Sequence, residues 1–164
     1  GFHHNAVLVG NDKTGWKYYA KDGSDTTNRN KSFKTLKEFQ ESDDSKRFDN
    51  AHRVKTSEKQ DKAMQEYGDK NYNKPYSVGA VKDKKTGENI KENCADLAAG
   101  VINAGNSIKD QDSTKLNVTT PKTWRPVVGV FTVPKTQYED FTKNNKGESV
   151  TPHIEKPKVE EKKK

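Results

Sequence analysis

Glu92-Asn93-Cys94-Ala95-Asp96-Leu97-Ala98-Ala99-Gly100-Val101-Ile102-Asn103-Ala104-Gly105 reads as the start and body of one helix. Asn93 is a good N-cap, and Asp96, three residues on, supplies the acceptor of a weaker capping box. Cys94, Leu97, Ala98, Val101, Ile102 and Gly105 follow the i, i+3, i+4 spacing of a buried helical face. The only cysteine therefore falls in the first turn, at the N-terminal end of that face. Unpaired backbone N–H groups and the positive end of the helix dipole favour an anion there. The expectation is a thiol with a lowered pKa. The plain reading of a lone cysteine is a small core hydrophobe.

The totals set the frame. The chain has 164 residues, the length of one domain. Leu, Ile, Val and Phe number only 27, below the ~20% at which disorder competes with folding. Mean hydropathy is -1.23. Several windows still show clean periodicity. The expectation is a folded domain over 1–145 with long polar loops, followed by a disordered basic tail over 146–164. One cysteine excludes an intramolecular disulfide framework. No apolar run approaches ~18 residues, so no membrane span is expected. No signal peptide opens the sequence, whose first residues run straight into a strand pattern. That suggests a fragment of a longer protein, with any export signal upstream.

The net charge of +7 invites an anionic partner. Lysines alternate with Asp and Glu along most of the chain, however, as on an ordinary solvated surface. The densest basic runs, Lys82-Asp83-Lys84-Lys85 and Lys162-Lys163-Lys164, carry no interleaved aromatics on which bases could stack. Nucleic acid is not an expected partner.

Outward from the helix, residues 3–10 alternate as a strand. Asn11-Asp12-Lys13-Thr14-Gly15 marks a turn, and Trp16-Lys17-Tyr18-Tyr19-Ala20 returns as the second strand of a hairpin, closed by Asp22-Gly23. Residues 24–31 read as polar loop. Phe33, Leu36 and Phe39 predict a short helix within 32–41, and Arg47–Lys55 alternates loosely as a strand. Thr56 or Ser57 caps a helix reaching about Lys70, with Ala63, Met64 and Tyr67 as its buried stripe. Lys74-Pro75-Tyr76-Ser77-Val78 is extended because of its proline. Residues 79–92 and 107–123 read as polar loops, 124–133 as a buried strand, and Pro134 opens a last helix carrying Tyr138 and Phe141.

A thiol centre needs a histidine to move its proton and a polar group to orient that histidine. The histidines are His3, His4, His52 and His153. His153 falls in the tail and His52 reads as structural. Of the strand pair, parity puts His4 on the face of Leu8.

Together these features resemble the circularly permuted NlpC-type papain-like enzymes, the group that includes lecithin:retinol acyltransferase. His4-Asn5-Ala6-Val7-Leu8-Val9-Gly10-Asn11 resembles their histidine strand, Asn93-Cys94-Ala95-Asp96-Leu97 their cysteine motif, and Pro75-Tyr76 the proline–tyrosine pair upstream of the nucleophile helix. Residues 9–23 are similar to papain-like domains at the C-terminal ends of bacterial Rhs-type toxins. The resemblance covers roughly residues 3–106 and implies an α+β papain-like fold, a small antiparallel sheet packed against the cysteine-bearing helix. It implies Cys94 as nucleophile and His4 as base, with Tyr76 and the helix start, including Asn93, at the oxyanion. The family's usual polar residue on the second strand is missing. Tyr19 is the substitute orienter, subject to the hairpin register. The chemistry implied is a cysteine hydrolase, an amidase or peptidase, needing no metal and no cofactor. Its substrate is a peptide or peptidoglycan, and the domain is delivered to a target cell as part of a larger bacterial protein, with an immunity protein as a further partner. Two alternatives stand beside it: an acyltransferase or lipid hydrolase on the same fold, and a non-catalytic module for an acidic partner in which Cys94 is buried and inert.

Overall fold

The computed structural model describes residues 4–21, 28–118 and 134–156. The architecture is mixed α+β, with small antiparallel sheets and four helices among the described residues. Strand β1 (Ala6–Asn11) turns into β2 (Gly15–Ala20), which pairs with β3 (Arg29–Phe33). The first turn is closed by Asn11, whose Oδ1 accepts from the N–H groups of Lys13 at 2.9 Å and Thr14 at 2.8 Å. Gly15 takes φ 97° there, a conformation open to glycine. Val7 faces Tyr19 and Ala6 faces Ala20 across the ladder.

Helix α1 (Leu36–Gln40) is followed by a 3-10 turn at Asp44–Arg47 and strand β4 (Ala51–Arg53). Helix α2 (Glu58–Asn71) starts at Ser57, which makes a full capping box with Gln60. A small hairpin pairs β5 (Val81–Lys82) with β6 (Asn89–Lys91), helix α3 (Cys94–Asn106) follows, then α4 (Pro134–Asn144) and β7 (Glu148–Val150), which pairs with β4.

The three-stranded sheet is covered on both faces. Val9 and Tyr19 pack with Met64 of α2, Leu97 and Val101 of α3, and Leu116. Tyr18 and Ala20 pack with Phe39 of α1 on the other side, with Leu8, Phe33 and Phe48 around them. Close approach depends on small residues. A Cβ on Gly68 would lie 2.4 Å from Cζ of Tyr19, and one on Gly100 would lie 2.3 Å from the hydroxyl of Tyr67. Gly68 thus seats the Tyr19 ring on α2.

Several expectations change. The polar run before Phe33 forms the edge strand β3, so Phe33 lies in the sheet and α1 starts only after its cap, Thr35. The strand expected over Arg47–Lys55 shrinks to β4. The lysine-rich 79–92 segment folds as the β5–β6 hairpin. The segment expected to be a disordered tail is ordered through residue 156. β7 pairs with β4, the Ile154 N–H donates to the Gln40 carbonyl at 2.8 Å, and Ser45 Oγ lies 2.7 Å from His153 Nδ1. The turn at Asp22-Gly23, the strand expected over 124–133, His3 and residues 157–164 lie outside the described residues.

Candidate functional site

Cys94 is the first residue of α3, and both halves of its capping box form. Asn93 Oδ1 accepts from the Asp96 N–H and Asp96 Oδ2 accepts from the Asn93 N–H, each at 2.9 Å. The other side of the Asn93 amide donates to the Val78 carbonyl at 2.9 Å. Its side chain is thereby engaged in holding the helix start and the loop before β5.

Two other segments converge on the thiol. The backbone amides of Asn5, just ahead of β1, and of Ala95 and Cys94 lie close enough to Sγ to favour its thiolate. Tyr76 pairs with Glu92 in a short parallel bridge, with the Glu92 N–H donating to the Pro75 carbonyl at 3.0 Å and the Ser77 N–H donating to the Glu92 carbonyl at 3.1 Å. The bridge sets Tyr76 near the helix start. Burial, and then the charges of Cys94, once it ionises, and of Asp96 push its phenol upward.

The thiol itself departs from the expectation of an acidic cysteine. Cys94 is 6% exposed. Burial pushes its pKa up. The three N–H donors pull it down and the Asp96 carboxylate pushes it up again, with a net upward direction. Loss of solvation outweighs the helix start, since both act on the same charge and the group is nearly dry. At neutral pH Cys94 rests as a thiol.

His4 stands just outside the ladder. Within the ladder, alternation gives Ala6 and Leu8 to the α1 side and Val7 and Val9 to the α3 side. The face that Leu8 shares by parity is therefore the α1 side of the sheet, not the α3 side. β1 begins at Ala6, so the pleat does not fix the direction of the His4 imidazole. Tyr19 lies opposite Val7, and its ring is fully buried against α2. Its hydroxyl is 2.8 Å from both the Gln65 carbonyl and Asp69 Oδ1. That hydroxyl is anchored on α2. His52 is structural, as expected, with Nε2 2.7 Å from the Asn145 carbonyl and its ring against Phe141.

A residue not singled out in the sequence completes the surroundings. Gln137 of α4 is 3% exposed. Its Nε2 donates to the Ala95 carbonyl at 2.9 Å and its Oε1 accepts from Asn5 Nδ2 at 2.9 Å. One side chain thus ties both segments that supply N–H groups to the thiol. The available signal is its spacing: Gln137, Phe141 and Asn145 recur at i, i+4 on one helical face.

Beside the thiol lies a buried acidic pair. Glu92 is fully buried and Asp96 is 3% exposed. Burial raises both carboxyls, Asp96 to about 6. Among the described residues Glu92 Oε1 and Asp96 Oδ1 have no hydrogen-bond partner. The ammonium groups of Lys21 and Lys74 (for Glu92) and of Lys82 and Lys21 (for Asp96) offset part of that cost. Among the described residues no three His, Cys, Asp or Glu side chains gather as a metal site would require.

A cavity of about 500 Å³ opens between α2, α3 and the β5–β6 hairpin, lined by Tyr67, Lys70, Asn71, Lys74, Lys82 and Asn89 among others. Its lining includes neither Cys94 nor His4. No described helix is long and apolar enough to cross a membrane. Compared with known protein families, with curated proteins and with solved structures, the chain matches none.

Proposed function

We propose that this chain is a cysteine hydrolase of papain-like, permuted NlpC type, cleaving amide bonds of a peptide or of peptidoglycan as a bacterial toxin domain. The observation that supports it best is the meeting of the His4–Asn5 peptide with the thiol at the capped start of α3. In this mechanism Cys94 rests protonated. As Sγ attacks the amide carbonyl, His4 takes the thiol proton. The hydroxyl of Tyr76 and N–H groups at the helix start meet the developing oxyanion. The imidazolium then protonates the leaving amine, leaving a thioester. Water, deprotonated by His4, releases the acid and restores the thiol.

The test is cleavage of a peptidoglycan digest and of a peptide library, followed by mass spectrometry. Cys94→Ala is expected to abolish cleavage, and His4→Ala to lower it by roughly 10²–10⁴-fold. If another nucleophile replaces water, the same centre gives the acyltransferase alternative, visible as acyl transfer to added amines or alcohols.

One observation favours a second reading. A thiol that is nearly dry and raised in pKa fits an inert core residue in a binding module. Absence of any cleavage, with Cys94 taking up an alkylating reagent only as the fold opens, would establish that reading in place of the first.

A further inference from the structure

The amide of Gln137 is buried, and both of its ends are spent on elements that flank Cys94. Asn5 lies just ahead of β1 and Ala95 in α3, and Gln137 joins them from α4. It is 132 residues from Asn5 and 42 from Ala95 in sequence. An apolar residue of similar size would fill this space without bonding either partner. A glutamine here fixes the distance between the lead-in to β1 and the first turn of α3.

We propose that Gln137 is a positioning residue for Cys94, a clamp that holds the His4–Asn5 segment against the nucleophile. The proposal rests on the reading of Cys94 as nucleophile, and it assigns α4 a part in that centre. With the clamp closed, the Asn5 N–H stays on Sγ and His4 stays one peptide away from it. With the clamp open, the lead-in to β1 is released, since it lies beyond the ladder's first pair, Ala6 with Ala20.

The titration of Cys94 reads this out without any substrate. The charged and titratable groups acting on the thiol are Asp96 from its own helix and Tyr76 from the bridged segment, with His4 next to the Asn5 donor. Gln137 reaches the centre from α4 as a neutral amide. Opening the clamp therefore removes a hydrogen bond to the thiolate while these groups keep their charge. Losing one such bond raises the midpoint by about one pH unit, a tenfold drop in thiolate at a given pH. Mere loosening of the packing acts in the opposite direction. It lets water reach the thiol and lowers the midpoint toward that of free cysteine.

The experiment follows the pH dependence of Cys94 alkylation, with thiolate absorbance measured in difference against Cys94→Ala. The variants are Gln137→Met, Asn5→Ala and the pair combined. Methionine keeps most of the volume and makes neither bond. The expected result is an upward midpoint in each single variant and no further shift in the double, because both break one link. A midpoint that stays or falls in Gln137→Met, or shifts that add in the double, overturns the proposal. Should Gln137→Met fail to fold, Asn5→Ala tests the same link from its other end. Absence of hydrolysis in the unmodified protein would count against the functional reading and leave this titration readable.

Discussion

Replacing Asp96 with asparagine is expected to stabilise the fold at neutral pH, and the gain is expected to disappear in acid. Asp96 is nearly fully buried, one of its oxygens has no partner among the described residues, and Glu92 lies close by. Burial lifts its pKa from 3.8 to about 6. The folded value lies above the unfolded one, so the folded chain keeps a proton that the unfolded chain releases. The contribution of Asp96 to stability is full below 3.8 and is lost as pH rises through about 6. A shift of about two units corresponds to roughly 3 kcal/mol of penalty for the ionised form. Asparagine carries no charge at any of these pH values, and its Oδ1 can still accept from the Asn93 N–H. Its NH₂ group falls where Asp96 Oδ1 has no partner, which returns about 1 kcal/mol of the gain. The net expectation is a stabilisation on the order of 2 kcal/mol at neutral pH. Urea unfolding of both proteins from acid to neutral pH measures it. Acidic groups elsewhere, such as Asp12 and Asp83 with their lowered pKa values, titrate equally in both proteins and cancel in the difference. A variant no more stable than the parent at neutral pH, or a difference that does not change with pH, refutes the reasoning.

Further outcomes are expected. Asp96→Asn should lower the midpoint of Cys94 alkylation, because a carboxylate that opposes the thiolate is gone; an unchanged or raised midpoint would show that other groups set it. Tyr19→Phe should cost about 1 kcal/mol by thermal unfolding, since it removes the hydroxyl between Gln65 and Asp69, and should leave the Cys94 titration unmoved. A changed titration would restore Tyr19 as an orienter. Gly68→Ala should destabilise by roughly 1–3 kcal/mol because its Cβ would strike the buried Tyr19 ring. Gly100→Ala should be milder, because half-buried Tyr67 can swing aside and alanine favours the helix by up to ~1 kcal/mol. Equal effects in urea titrations would contradict that ranking.

The elements legible in the sequence are those whose start or turn chemistry is local. Asn11 and Gly15 announce the first hairpin, Ser57 with Gln60 begins α2, and Asn93 with Asp96 begins α3. β3, β5, β6 and β7 escape notice because they are short and none of their residues is fully buried. Arg29–Phe33 has only Phe33 to bury, and Glu148–Val150 only Val150. The site divides along the same line. Cys94 at a helix start and Tyr76 upstream of it follow from short-range patterns. Whether Tyr18 or Tyr19 faces α3, and so which parity points a strand residue toward it, depends on which layer covers which face. Both residues are buried aromatics, and the sequence does not distinguish them. The pKa direction of Cys94 has the same origin: the helix start is visible in sequence, and the depth of burial that overrides it is a property of the assembled layers.

The β4–β7 pairing carries a consequence for the order of assembly. Ala51 meets Val150, Gln40 Nε2 donates to the Thr151 carbonyl, and Ser45 meets His153, contacts that close loops of about a hundred residues. The equilibrium cost of such closure grows slowly, about 0.6 kcal/mol for each doubling of the loop, whereas the rate of finding the partner falls with sequence separation. The first hairpin and the α2–α3 pair can assemble from nearer neighbours. Strand β4, whose ladder partner is β7, must wait for residues 148–150 to return to it, whereas α1 packs on the first hairpin from nearby in sequence. The β4–β7 pairing is therefore expected to complete last, and amide exchange of Ala51–Arg53 is the measurement that checks it.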